Sequence, residues 1–181
     1  MTRAGYVWIT SLSALAIAGV SLADVAPRLV WNASASVPLG LYLLRSPEPL
    51  GLGDLVAVEP PEPLARFLAE RGYIADGVPL LKHVIALPGR QVCRHGRAVT
   101  VDGQPVGEAR ERDRMGRDLP VWQGCRIIGE GEIFLMNPSV EDSLDGRYFG
   151  PTPRTSVIGQ AIPIWTEPDP GSRGAARAAA P

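Results

Sequence analysis

Apolar and polar positions along the chain fall into regimes with different periods. Ala4 to Ala23 is a run of 20 residues without a formal charge. As a helix rising about 1.5 Å per residue it would be about 30 Å long, the thickness of one bilayer core. Arg3 precedes the run, and Asp24 and Arg28 follow it and cancel. That weak positive bias orients the amino terminus toward the cytoplasm and the rest of the chain outward. Residues 1–30 are therefore expected to be an N-terminal membrane anchor or a signal segment. The second reading draws on Ser21-Leu22-Ala23, whose small residues resemble a cleavage site. Thr10, Ser11, Ser13 and Ser21 keep a buried soluble helix in view. Anchor and signal segment alike put Trp31 onward outside the cytoplasm.

Beyond that run the pattern breaks into short apolar stretches between turn residues. Pro38 and Gly40 form a turn before Leu41-Tyr42-Leu43-Leu44, and Gly53-Asp54 a turn into Leu55-Val56-Ala57-Val58; both stretches read as strands. Leu64, Phe67 and Leu68 recur at helical spacing after Pro60, Pro61 and Pro63, and Gly72 ends that short helix. Pro79 to Leu87 is apolar except for Lys82 and His83, and Pro88-Gly89 closes it. Val99-Thr100-Val101, Asp102-Gly103 and Pro105-Val106 read as a hairpin. Strands are also expected at 127–128, 133–136 and 157–164. From Glu108 to Asp118 eight of eleven residues are charged with mixed signs, the pattern of a solvated loop. Residues 167–181 are rich in Ala, Gly and Pro and read as a disordered tail. The expectation is a mainly β domain over 31–166 with a short helical insertion, carried on one N-terminal transmembrane or signal helix.

Composition narrows the classes. Gly 20 and Pro 18 make up about a fifth of 181 residues, below what marks a low-complexity chain. A net charge of −1 argues against a nucleic-acid partner. Cys93 and Cys125 fit an oxidising compartment; a bridge between them would contribute about 3 kcal/mol, and the alternative is two buried thiols. Two Cys and two His lack the spacing of a metal site, so no metal or other cofactor is expected.

Seventeen of the 18 basic residues are Arg; the exception is Lys82, inside the apolar run. An amine in a buried strand must find partners or lose its proton, and Lys can do the latter where Arg cannot. The plainer alternative is an edge Lys whose head reaches water. His83 points to the opposite strand face, so the two cannot share a site. His95 sits in a polar turn, and a Ser-His-Asp triad has little support. Ser36 precedes the Pro38–Gly40 turn, where a hydroxyl can stand clear of the sheet. Ser34, two residues earlier, shares its face if the backbone is extended, so that one could attack while the other donates to an oxyanion. Taken alone the stretch is also a polar linker.

Three boxes in order behind the apolar segment resemble those of type I signal peptidases: Ser36-x-Pro38-x-Gly40-x-Tyr42, Lys82-His83-Val84-Ile85-Ala86-Leu87-Pro88-Gly89, and Ser143-Leu144-Asp145-Gly146-Arg147-Tyr148-Phe149-Gly150. The compact size and the Pro two residues after the Ser resemble the conjugal-transfer, TraF-type pilin-processing branch. The similarity covers roughly 31–165. It implies a signal-peptidase-like β domain with Ser36 as nucleophile and Lys82 as general base. Ser143 matches the hydroxyl that orients the amine, and Ser34 matches the one that joins the Ser36 N–H in an oxyanion hole. Asp145 and Arg147 match a structural ion pair, although the residues alone suggest a turn with a surface pair. Val37-Pro38, residues 137–142 and Gly146 depart from the housekeeping enzymes. The resemblance implies a membrane-associated serine endopeptidase that processes a secreted precursor, most closely a conjugative pilin, with cyclisation open. Its partners would be the precursor and the lipid bilayer, and its site periplasmic. General signal peptidase activity and a non-catalytic, membrane-tethered β scaffold of a secretion complex are the alternatives.

Overall fold

The structure is a computed structural model that describes residues 2–22 and 28–167. In chain order the elements are α1 (Arg3–Leu22), β1 (Leu29–Asn32), β2 (Gly40–Arg45), β3 (Leu55–Val58), α2 (Glu62–Glu70), β4 (Leu80–Ala86) and β5 (Gln91–His95). There follow β6 (Ala98–Val101), β7 (Gln104–Glu108), β8 (Gly124–Ile127), β9 (Glu132–Met136), α3 (Gly146–Phe149), β10 (Thr152–Pro153) and β11 (Val157–Thr166). Among the described residues these form a seven-stranded sheet in the order β1-β2-β11-β3-β4-β9-β10 and a four-stranded sheet in the order β7-β6-β5-β8. The mainly β expectation holds.

Helix α1 forms where the uncharged run predicts it. However, no helix among the described residues is long and apolar enough to cross a membrane. Absence of charge is not the same as hydrophobicity: Thr10, Ser11 and Ser13, with Gly5 and Gly19, dilute the run. The small residues read as a cleavage site end at Ala23, and 23–27 lie outside the described residues. So does the expected tail, apart from Glu167, whose N–H donates to Leu39 O at 2.8 Å.

Strand β1 was not expected: it starts inside the segment read as anchor or signal, 1–30, and ends at Asn32, the first residue of the stretch read as a polar linker. It pairs antiparallel with β2, Leu29 opposite Leu43 and Trp31 opposite Leu41, and β11 flanks the other edge of β2 with Ile162 opposite Leu43 and Trp165 opposite Leu41. Leu29, Trp31, Ile162 and Trp165 are exposed, and the two indoles stack 5.9 Å apart. The opposite side chains of the same strands are buried: Tyr42, Leu44 and Ala161 pack with Val37, Ala57 and Leu81. A second cluster joins Val56, Val58, Val84, Ile133, Leu135 and Val157. The central strands thus bury apolar groups on both faces, which is why β4 reads as a nearly continuous apolar run. A third cluster, with Ala86, Val92, Val99, Ile128, Phe134 and Met136, joins the two sheets. The Asp102-Gly103 turn between β6 and β7 has both residues at positive φ, as the hairpin reading requires.

Candidate active site

Lys82 lies on β4 between β3 and β9, opposite Val56. It is 4% exposed, so the edge reading of this residue does not hold. Its amine donates to Ser143 Oγ at 2.8 Å. Burial pushes the amine down to about 8; Asp145 opposes that shift and Arg147 adds to it. The opposing charges lie close together, so removal from water decides the outcome.

His83 faces the other way and meets Asn137 Oδ1 at 3.0 Å through its ring nitrogen. His95 lies beside the disulfide, with Nε2 3.5 Å from Cys125 Sγ. Neither histidine lines the cleft described below, so the triad alternative lacks a base there.

Ser34 and Ser36 come together by a route different from the one their spacing suggests. Residues 34–37 form a turn, not extended strand. The hydroxyls nonetheless lie 3.2 Å apart. Asn32, at the end of β1, organises the turn. Its Oδ1 accepts from Ser34 N–H at 3.1 Å and Ser34 Oγ at 2.9 Å, while its Nδ2 donates to the carbonyls of Ser34, Val37 and Pro38 at 2.8–3.1 Å. Buried Tyr42 donates to Pro38 O at 2.7 Å from below. In this arrangement the Ser34 proton points to Asn32, so donation to an oxyanion needs a hydroxyl rotation. Gly40, at φ +150°, lies so close to β11 that a Cβ there would sit 2.1 Å from Trp165 O.

The third box sits under β9. Arg147 and Asp145 form a two-pronged ion pair at 2.9 and 2.8 Å, with both side chains at or below 1% exposure. A surface pair was the reading from the residues alone; the pair is buried because the strands close over it. Asp145 also accepts from Asn137 N at 3.0 Å. Arg147 Nη2 donates to the carbonyls of Asn137 (3.1 Å), Val140 (2.7 Å) and Ser143 (3.4 Å), which ties down the loop that presents Ser143. Buried Arg94 donates to Arg147 O at 2.5 Å. Gly146 permits this approach, because a Cβ there would lie 2.7 Å from Leu135 O. The residues missed from sequence are Asn32, Asn137 and Arg94. Asn32 stands two residues before Ser34, the spacing of an Asx-turn, and Asn137 opens an Asn-Pro turn; Arg94 carries no such signal.

Ser34, Ser36, Lys82 and Ser143 line one cleft of about 470 Å³. The charged run from Glu108 was expected as a solvated loop, yet Arg110, Asp113 and Arg117 line the same cleft. Two ion pairs form within the run: Arg112 bridges Asp118 at 3.0 Å, and Arg117 bridges Asp113 at 2.7 Å. Asp113 also accepts from the Tyr73 hydroxyl at 2.5 Å. Desolvation pushes the Asp113 carboxyl up, but the Tyr73 and Arg117 bonds outweigh it and hold it well below the usual carboxylate range.

Cys93 and Cys125 face each other across β5 and β8 and are bonded. Together with His95 they bring three ligand-type atoms within 4.8 Å, but bonded sulfurs offer no thiolate to a metal.

Residues 1–166 match the family described as signal peptidase, peptidase S26. The chain is 33% identical to the conjugal transfer protein TraF of Agrobacterium fabrum strain C58, over 92% of this chain and 98% of that one. It is 35% identical to an Escherichia coli plasmid transfer protein TraF, over 89% and 94% respectively. A solved signal peptidase I from Enterococcus faecalis V583 is 22% identical, covers 62% of this chain and 97% of its own, and superposes with a TM-score of 0.38. With a family match over nearly its whole length and TraF relatives aligned almost end to end, the chain belongs to the S26 signal peptidases, a family of serine peptidases.

Proposed function

We propose that this protein is a Ser/Lys endopeptidase that matures a secreted precursor, a conjugative pilin, at the periplasmic face of the inner membrane. The observation that carries the reading is the Lys82 amine: buried, pushed down to about 8, held by Ser143, and lining the same cleft as Ser36. A neutral amine accepts the Ser36 proton as Oγ attacks the scissile carbonyl. The Ser36 N–H and, after rotation, the Ser34 hydroxyl stabilise the oxyanion. Lys82 then gives its proton to the leaving amine as the C–N bond breaks, leaving a Ser36 ester. Water resolves that ester by hydrolysis; the amino terminus of the pilin resolves it by cyclisation. Asp145 and Arg147 support the loop carrying Ser143 and take no part in proton transfer.

The membrane side of the reading is supported by the apolar face of β1, β2 and β11. Leu29, Trp31, Ile162 and Trp165 are exposed there, and α1 exposes Tyr6, Trp8, Leu12 and Leu15. Paired indoles at the edge of an apolar patch suit the interface between lipid and water. The disulfide suits an oxidising compartment.

The test is co-expression with a conjugative pilin precursor, followed by mass spectrometry. Loss of a terminal segment is expected, with one further water missing if the product is cyclic. Ser36→Ala and Lys82→Arg should both abolish it, the latter because it keeps the charge but offers no neutral amine. Processing that survives both substitutions would leave a scaffold as the reading.

A further inference from the structure

Arginines dominate the cleft wall that adjoins the proposed catalytic groups. Arg71, Arg110, Arg112, Arg114 and Arg117 line it, against the carboxylates of Asp113 and Asp142. Four of the five have carboxylate partners: Arg110 bridges Glu141 at 2.9 Å, Arg112 bridges Asp118, Arg114 bridges Asp142, and Arg117 bridges Asp113. Arg71 has none among the described residues. It is nonetheless held in place. Its Nη1 donates to Asp118 O at 2.7 Å, its guanidinium lies 4.6 Å over the Phe67 ring, and its own carbonyl accepts from Arg117 Nη1 at 3.0 Å. Arg71 is also the C-cap of α2, where the helix dipole favours a cation. That accounts for a positive residue at this position. It does not account for a head fixed by a carbonyl and a ring rather than left mobile in water.

A planar guanidinium fixed on one side and lacking an anion presents its remaining N–H groups as a fork for a carboxylate. We infer that Arg71 is a specificity-determining residue that receives a carboxylate of the precursor bound in the cleft. The carboxylate belongs either to an Asp or Glu side chain near the scissile bond or to the precursor's own C-terminus; the chemistry recognised is the same. This inference rests on the reading of the cleft as the Ser36 site. It adds that the precursor is selected by a negative charge on one side of the cut.

The experiment uses the full chain carrying Ser36→Ala, so that bound peptide is not consumed. The probes are short Ala/Gly peptides with one Glu moved through successive positions, their Gln and Lys twins, and versions with a free or an amidated C-terminus. At one position, or with the free C-terminus, the carboxylate form should bind about tenfold more tightly than its neutral twin, an amount in keeping with a charge-assisted hydrogen bond. The preference should weaken as ionic strength rises. It should vanish in Arg71→Gln and survive in Arg66→Gln, which removes a cation of the same helix that pairs with Glu62 outside the cleft. Arg71→Lys should keep only part of it. Equal binding of Glu, Gln and Lys peptides by the Ser36→Ala protein overturns the inference without any Arg71 variant, and so does a preference that persists in Arg71→Gln. Failure of the Ser36 reading shows separately, as pilin processing that continues in Ser36→Ala.

Discussion

The amine of Lys82 and the hydroxyl of Ser143 lie 2.8 Å apart although 61 residues separate them in the chain. Neither can reach water freely: both residues are 4% exposed. The bond fixes the direction of the amine, and burial sets its proton affinity. A base pushed down to about 8 is mostly protonated below that pH and mostly neutral above it. On the proposed mechanism kcat/KM should therefore fall about tenfold per pH unit below about 8 and level off above it. The check is a pH–rate profile on a peptide or precursor. A rate that stays flat from about pH 6 to 10 would remove Lys82 as the base.

The same shift has a consequence for stability. Between about 8 and the ordinary lysine value of 10.5, the unfolded chain holds a proton that the folded chain has lost. Stability should rise with pH through that window, by about 3 kcal/mol in full. Lys82→Met removes the buried charge. At pH 7 it should be more stable than the parent by up to about 3 kcal/mol while inactive, and the gap should close toward about pH 10. Denaturant unfolding at the two pH values measures it. A Lys82→Met protein less stable than the parent at both would contradict the assigned burial cost.

Asn32 should matter as much to rate as to stability. It holds the 34–37 turn through both ends of its amide. Asn32→Ala takes the donor from the buried Val37 carbonyl and the partly buried Ser34 carbonyl, while Pro38 O keeps the Tyr42 hydroxyl, at about 1–3 kcal/mol. A displacement of about 1 Å in the Ser36 hydroxyl lowers kcat by about a hundredfold, with a smaller change in KM. Asn32→Asp keeps the acceptor and loses the donors, so its kcat should lie between. Kinetics of the three proteins on one substrate decide the matter, and unchanged kcat in Asn32→Ala would show that the turn holds without it.

Asp145→Ala tests the balance around the amine. The carboxylate favours the protonated form of Lys82 and Arg147 disfavours it. With the carboxylate gone, Arg147 is left as a buried unpaired charge, which costs about 3–5 kcal/mol. The lysine loses its stabilising anion, so the acid limb of the pH–rate profile should move to lower pH. If the protein remains folded by circular dichroism and the limb moves upward, the assigned electrostatics are reversed.

Local pattern alone carried much of the outline. Turn residues and short apolar runs locate β2, β3, β4, β9 and β11 of the larger sheet, the short helix after the prolines and the Asp102-Gly103 hairpin, but not β1 or β10; φ preference and apolar patterning are properties of a few neighbouring residues. A lone lysine inside an apolar run marks Lys82, since an amine in such a place must be paired or neutral. Contacts between distant segments were not legible. Asn32 looked like part of a linker and proved to be the end of a strand that grips the serine turn. Asp145 and Arg147 looked like a surface pair, because their burial depends on β9 closing over them. Ser34 and Ser36 were expected to meet through extended backbone, and meet through a turn that a remote strand and Tyr42 hold in shape. The charged run after β7 looked solvated, and its place on the cleft is set by Tyr73 and Arg71, about 40 residues earlier in the chain. Sequence determines which groups are available and what the local backbone will tolerate. Only the tertiary structure decides which of them are removed from water together, and the chemistry of this site depends on that removal.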